Sequence, residues 1–212
     1  MKIVLNNTYL EMFLHIKALT PTAYLVGGCV RDAMLGKKPK DFDIVTDCDL
    51  TLLTQALKEN GWKVNEAGLN FLVTIASKNG EQIEIAIFRK DGTYTDGRRP
   101  DSVEIGDIYT DAERRDLSIN ALYYDPFTGE ILDPTTKGVS DIKNKVIRMN
   151  GRADQRIKED LLRIMRVYRF SNQLGFSIDK TTLKACRRYF NAMYATIPAE
   201  RVKNEIEKMC KV

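Results

Sequence analysis

The sequence predicts an α+β chain in which a mixed sheet interleaved with helices is followed by a small all-helical domain. Three observations carry this. Helix-like and strand-like patterns alternate through the first 90 residues, and Asn79-Gly80 between two apolar runs marks an antiparallel hairpin. After residue 152, three successive segments carry only helical periodicity. Between the two regions, residues 125–154 are dense in Asp, Pro, Gly and Thr, the composition of a connection. These features place a sheet domain at residues 1–140 and a helical domain at 141–212.

Taken in order, Tyr9, Met12, Phe13 and Ile16 recur at spacings of three and four, giving an amphipathic helix over 8–19 that ends at Thr20-Pro21. Ala23 to Val26 is a short buried strand running into Gly27-Gly28, and a helix over Val30 to Leu35 stops at Gly36. Asp41 to Thr46 reads as a strand, and Thr51 to Asn60 as a helix closed by Gly61. Phe71 to Ala76 and Gln82 to Phe88 are the hairpin strands. An amphipathic helix containing Ile119, Leu122 and Tyr123 is expected around Arg114-Arg115-Asp116. Helices follow over Ile157 to Leu174, with Gly175 as C-cap, over Thr181 to Tyr189, and over Ala199 to Lys211 behind Pro198.

Composition narrows the class. The chain has 212 residues, 43% hydrophobic and 29% charged, which fits a globular protein of one to one and a half domains and excludes a disordered or collagenous one. No apolar run approaches the roughly 20 residues that span a bilayer, and polar residues interrupt the first stretch before a signal-peptide core forms. Four cysteines without CxxC spacing and a single histidine, His15, argue against a Cys/His metal site and for reduced thiols in a cytoplasmic protein. Lys and Arg number 33 against 29 acidic residues, a net charge of +4 too mild to identify a nucleic-acid binder by itself.

Chemistry concentrates in Gly27-Gly28-Cys29-Val30-Arg31-Asp32 and Asp41-Phe42-Asp43. Two glycines between strand and helix let the backbone approach a bulky anion, and Arg31 can add a charge-assisted contact to phosphate; a plain tight turn is the alternative. Residues i and i+2 of a strand share a face, so Asp41 and Asp43 project together. Paired carboxylates suit a hard divalent cation, the alternative being a solvated acidic strand end. A phosphate-cradling turn with a metal-binding pair is the equipment of nucleotidyl transfer.

These residues resemble the first signature of the class II tRNA nucleotidyltransferases and bacterial poly(A) polymerases, members of the polymerase beta nucleotidyltransferase superfamily. The resemblance continues through Glu84 to Arg89, Asp96-Gly97-Arg98-Arg99-Pro100, Arg114 to Leu122, Asp125-Pro126 with Asp133-Pro134, Glu159-Asp160-x-x-Arg163-x-x-Arg166-x-x-Arg169, and Glu200-Arg201. It implies the polymerase beta-like mixed sheet with a helical neck, and transfer of CMP or AMP from CTP or ATP to the 3′ end of tRNA. It makes Asp41 and Asp43 the ligands of Mg²⁺, with Glu84 as candidate third carboxylate. Gly27, Gly28 and Arg31 would hold the triphosphate. Arg114, Arg115, Asp116 and Asn120 would contact ribose and phosphates, Arg115 being the favoured arginine. Asp160 and Arg163 would act as an amino-acid template for the Watson-Crick edge of C or A, supported by Arg166 and Arg169; a solvated basic face is the bland alternative for this run. The loop from Lys90 to Pro100 would take part in switching from C to A.

Departures from the family pattern are small except one. Ser118 stands where Thr is commoner, and Asp133-Pro134-Thr135-Thr136-Lys137-Gly138 is one residue longer than Asp-Pro-x-x-Gly. Family members continue into helical body and tail domains, expected to be absent from this chain. The rival expectations are a poly(A) polymerase, a partial CC- or A-adding enzyme, and a non-catalytic nucleotide- or RNA-binding module. Gly68-Leu69-Asn70-Phe71 occupies the region where bacterial poly(A) polymerases carry Gly-Arg/Lys-Arg-Phe, and resembles the CCA-adding type. Basic residues from Lys143 to Arg169 and at Lys184, Arg187, Arg188, Arg201 and Lys203 predict weak, salt-sensitive RNA binding.

Overall fold

A computed structural model describes residues 2–95, 97 and 100–210. Of the expected loop motif, Asp96, Arg98 and Arg99 lie outside the described residues. The chain forms two compact units that interleave in sequence: Met1–Lys90 with Val103–Ala112 and Leu122–Pro134, and Asp91–Ser102 with Glu113–Ala121 and Thr135–Val212.

The first unit opens with helix α1 (Asn7–Leu19), whose N-cap Asn6 accepts from the Tyr9 N–H at 3.0 Å. Strand β1 (Ala23–Val26), helix α2 (Gly28–Met34), strand β2 (Asp43–Thr46) and helix α3 (Leu50–Glu59) follow. Asp49 caps α3 by accepting from Thr51 N and Leu52 N. Strands β3 (Lys63–Asn65), β4 (Val73–Lys78) and β5 (Glu81–Ile87) come next, then β6 (Arg89–Asp91), β7 (Val103–Ile105), helix α4 (Ile108–Arg114), β8 (Tyr123–Tyr124) and β9 (Ile131–Leu132). The main sheet has seven strands in the order β3-β4-β5-β2-β1-β8-β9. Among the described residues its strands pair antiparallel except β2 with β5, which run parallel. The sheet is therefore mixed, as the sequence predicts. Asn79 and Gly80, both at positive φ, make the two-residue turn between β4 and β5. Leu25, Ile44, Ile83 and Ile85 are fully buried across the central strands, beneath Met12, Phe13 and Ile16 of α1.

The second unit is mostly helical: α5 (Gly138–Lys143), α6 (Ala153–Glu159), α7 (Arg163–Leu174), α8 (Lys180–Thr196) and α9 (Ala199–Cys210), with a 3₁₀ turn at Ser118–Asn120. Two short parallel strands, β10 (Val146–Ile147) and β11 (Ser177–Ile178), pair within it. Gly175 ends α7 in the left-handed conformation (φ 67°), the predicted C-cap.

Three expectations are corrected. The strand expected over Asp41 to Thr46 begins only at Asp43, so Asp41 and Phe42 lead into it. The single helix expected over Ile157 to Leu174 is two helices, because Asp160 takes an extended conformation (φ −148°, ψ 105°) and its carboxylate accepts from Leu162 N at 3.1 Å. That side-chain bond competes with the helical ladder, and the four-residue stripe from Asp160 to Arg169 loses its first member. The amphipathic helix expected around residues 114–123 is instead the end of α4, a 3₁₀ turn and strand β8.

Candidate active site

In the first unit, strand register assembles the acidic site. Val26 pairs with Asp43 where β1 and β2 meet antiparallel, so Gly27-Gly28 leave β1 at the end where Asp41 leads into β2. Gly27 has φ 81° and ψ −127°, a conformation open almost only to glycine. Its N–H donates to Leu122 O at 3.0 Å and its carbonyl accepts from Arg31 N at 3.1 Å, which fixes the turn. A side chain at Gly28 would meet the Arg31 guanidinium at 3.5 Å, so that arginine folds back over the glycine. Arg31 is buried, and its Nε and Nη2 reach Asp32 Oδ1 at 2.8 and 2.7 Å. The guanidinium is thus held in one orientation beside the turn.

The parallel pairing of β2 with β5 sets Ile44 against Ile85, and one step back the same register sets Asp43 beside Glu84. Paired neighbours share a face, so Glu84 stands beside Asp43, and Asp41, Asp43 and Glu84 are all exposed. Among the described residues, no group of three or more His, Cys, Asp or Glu side chains is close enough together to hold a metal ion. The donors at hand are two carboxylates, with Glu84 beside them. Such a set fits a hard cation that keeps several waters and is bound through one or two carboxylates.

Phe42, between the two aspartates, is held from the other side of the sheet. The buried Tyr9 ring meets it edge-on, centroids 5.0 Å apart at 70°. Burial, with the charges of Glu81, Asp41 and Asp43, raises the Tyr9 phenol and keeps it neutral. Cys29 donates to Val26 O at 3.4 Å; burial and Asp43 push its thiol up to about 12, so it supplies neither thiolate nucleophile nor ligand.

In the second unit the expected ribose and base residues fall into local clusters. Asp116 receives Arg166 Nε at 2.6 Å, Asn120 Nδ2 at 3.2 Å and Leu117 N at 2.8 Å. Burial alone would raise its carboxyl; the Arg166 charge and these hydrogen bonds outweigh it and bring it down to about 2. Arg114 and Arg115 are half-buried, and their carbonyls accept from Arg156 Nη2, Arg115 O at 3.4 Å. Asp160, freed from the helix, faces Arg201 Nη2 at 3.8 Å, and burial raises its carboxyl above the usual range. Arg163 Nη1 donates to Arg156 O and Glu159 Oε2, both at 2.7 Å, and the guanidinium lies 5.9 Å from the Tyr94 ring centroid. Arg169 Nε sits 2.7 Å from the buried Glu205 Oε2.

Asp160 and Arg163 thus flank the α6–α7 break, each oriented by a different partner. Sequence reasoning missed Arg156 and Tyr94 as partners of Arg163, and Glu205 as the partner of Arg169. Glu159, four residues before Arg163, was readable as a helical ion-pair position. Tyr94 had no local signal, since the loop that carries it approaches Arg163 only in the folded unit.

The mixed sheet, with its glycine turn over an arginine and a carboxylate pair at the adjoining strand entrance, has the nucleotidyltransferase fold. Residues 23–148 match the poly A polymerase head domain family, and the chain belongs to that family. Its enzymes generally use divalent metal ions. The chain is 39% identical over 187 residues to the CCA-adding enzyme of Oceanobacillus iheyensis, covering 88% of this chain and 45% of that protein. It superposes on the Bacillus stearothermophilus CCA-adding enzyme in complex with CTP with a TM-score of 0.81 at 31% identity, covering 97% of this chain and 49% of that one. A tRNA nucleotidyltransferase complexed with a primer tRNA and an incoming ATP analog matches with a TM-score of 0.72 at 29% identity, over 88% of this chain and 52% of that one. The chain spans about half the length of these relatives. Among the described residues, no helix is long and apolar enough to cross a membrane.

Proposed function

We propose that this chain is the catalytic portion of a template-independent, cytoplasmic RNA nucleotidyltransferase that adds CMP and AMP, from CTP and ATP, to the 3′ end of tRNA. The observation that carries this is the strand register bringing Gly27-Gly28, Asp43 and Glu84 to one end of the sheet beside Arg31. Asp41 and Asp43, with Glu84 adjoining, would hold Mg²⁺. A bound divalent cation there supplies Lewis-acid activation of the attacking hydroxyl and neutralises charge on the triphosphate.

The protein's own groups do the rest. Gly27 and Gly28 let the triphosphate approach the backbone, and Arg31, oriented by Asp32, pairs with its oxygens. The RNA 3′-oxygen forms a bond to the α-phosphorus, the bond to the β-phosphate oxygen breaks, and pyrophosphate leaves. In the second unit, Asp160 accepts from the exocyclic amino group that C and A share, while Arg163 donates to a ring nitrogen or carbonyl. With Nη1 held by Glu159 and the Arg156 carbonyl, the guanidinium is oriented, and Nε and Nη2 are the donors left for the base. U and G present a carbonyl where C and A carry the amino group, so Asp160 disfavours them. Asp116, Asn120, Arg114, Arg115, Arg166 and Arg169 contact ribose and phosphates or brace those that do.

Incubation with tRNA lacking its terminal CCA and labelled CTP or ATP tests this. Products extended by one to three nucleotides are expected. Long A tails would instead make the chain a poly(A) polymerase, and nucleotide binding without turnover a non-catalytic module.

A further inference from the structure

Between α2 and β2 the chain carries Gly36-Lys37-Lys38-Pro39-Lys40, immediately before Asp41. Lys37, Lys38 and Lys40 are exposed, and among the described residues none of the three ammonium groups has an ion pair or a hydrogen bond. Lys17, Lys58, Lys78, Lys203 and Lys208, by contrast, have carboxylate partners, and the three loop lysines stand out by lying together on four consecutive residues next to Asp41. Nor does the segment contain an acid of its own. Its backbone is nevertheless fixed. Gly36 turns at φ 71° with its N–H on Ala33 O at 3.0 Å, and the Lys37 N–H returns to Asp32 O at 2.9 Å. Pro39 sets its own φ and biases Lys38 toward extended backbone. A pre-shaped loop gives three charges to a polyanion at low entropic cost.

Its position says which polyanion. Gly28 and Arg31, at the start of α2, are the triphosphate residues proposed above. Seven helical residues separate Gly28 from the loop's beginning, about 10 Å of helix. Lys37 and Lys38 therefore stand a helix length away from the triphosphate turn, while Lys40 adjoins Asp41. Along the chain, the stretch from Lys40 back to Lys37 leads away from Asp41, and α2 separates it from the glycine turn. The strand that must end at those carboxylates is the RNA whose 3′-hydroxyl attacks.

We infer that Lys37, Lys38 and Lys40 form a binding track for the phosphates just upstream of the 3′-terminal hydroxyl of the acceptor RNA. This deepens the proposed function and rests on it for the identity of the nucleophile.

The test is a Lys37→Gln/Lys38→Gln/Lys40→Gln variant compared with a charge-matched Lys2→Gln/Lys63→Gln/Lys180→Gln control. Binding of a labelled single-stranded RNA ending in a 3′-hydroxyl is followed by fluorescence anisotropy across salt concentrations, and KM for CTP is measured alongside. The track predicts weaker RNA binding by on the order of tenfold and a salt slope shallower by about 2, at roughly 0.7 per lost phosphate contact. KM for CTP should not move, and the control should bind as wild type does. Unchanged RNA binding, an equal loss in the control, or a rise in KM for CTP would overturn the inference. The binding arm needs no turnover, so a wild-type chain that fails to incorporate nucleotide would refute the proposed function without deciding the track.

Discussion

Replacing Asp116 by Asn should destabilise the protein by an amount set by its ion pair with Arg166, and the loss should vanish in acid. The carboxylate side chain is 11% exposed and accepts Arg166 Nε at 2.6 Å, with Asn120 and the Leu117 N–H completing its shell. Its carboxyl falls from 3.8 to about 2. At about 1.4 kcal/mol per pKa unit, the folded state favours the ionised form by roughly 2 kcal/mol. A depressed folded-state pKa gives stability that is complete above the unfolded value near 4 and is lost as pH falls through about 2. Urea denaturation of wild type, Asp116→Asn, Arg166→Met and the double variant supplies the assay. At pH 7 each single variant should lose about 2–4 kcal/mol, because Asp116→Asn removes the charge facing Arg166 and Arg166→Met leaves the Asp116 carboxylate without its cation, and the double variant should lose far less than the sum. As pH falls from 5 to 2, the gap between wild type and Asp116→Asn should close. A coupling below about 0.5 kcal/mol, or a gap that stays constant into acid, would refute the assignment.

Two further outcomes follow from named conformations. Gly27→Ala forces a Cβ into φ 81°, ψ −127°, and should cost about 1–3 kcal/mol in denaturation midpoint together with nucleotide affinity; an unchanged midpoint would show that the turn relaxes freely. Asp160→Asn should act oppositely to Asp116→Asn. Burial raises the Asp160 carboxyl, so its ionised form opposes folding above that raised pKa, and the opposition disappears as pH falls below the unfolded value. The amide keeps an acceptor for Leu162 N, so stability at pH 7 should hold or rise while discrimination of C and A against U and G, scored by incorporation of each labelled triphosphate, falls. Lower stability with intact discrimination would contradict both halves.

Features encoded over a few residues were legible. The Gly27-Gly28 turn, the Asn79-Gly80 hairpin and the Gly175 cap each depend on a backbone conformation that glycine or asparagine supplies locally. Asp41 and Asp43 could be named from their i, i+2 spacing, but the strand starts two residues later than that alternation suggested, at Asp43. Glu84 could be proposed but not placed, because its standing beside Asp43 depends on β2 pairing with β5, some forty residues on. The break at Asp160 was hidden by apolar periodicity that continues through it; an aspartate bonding to the backbone two residues ahead overrides the pattern. Asp116 was expected to face ribose, whereas its strongest partner, Arg166, lies fifty residues away, beyond any local signal. The two-residue strands β10 and β11 are too short to show alternation and exist through their pairing with each other.

The central claim is that the carboxylates at the β2 entrance carry a metal-dependent nucleotidyl transfer. Single-turnover incorporation of labelled CMP onto tRNA lacking its CCA end, with Mg²⁺ titrated, tests it for wild type and Asp43→Ala. Wild type should depend on the metal with saturation. The variant should lose on the order of a thousandfold in rate, the equivalent of about 4 kcal/mol of transition-state stabilisation, while its denaturation midpoint stays near wild type because Asp43 is exposed. Full incorporation by Asp43→Ala, or wild-type turnover that persists undiminished in a metal chelator, would contradict the account.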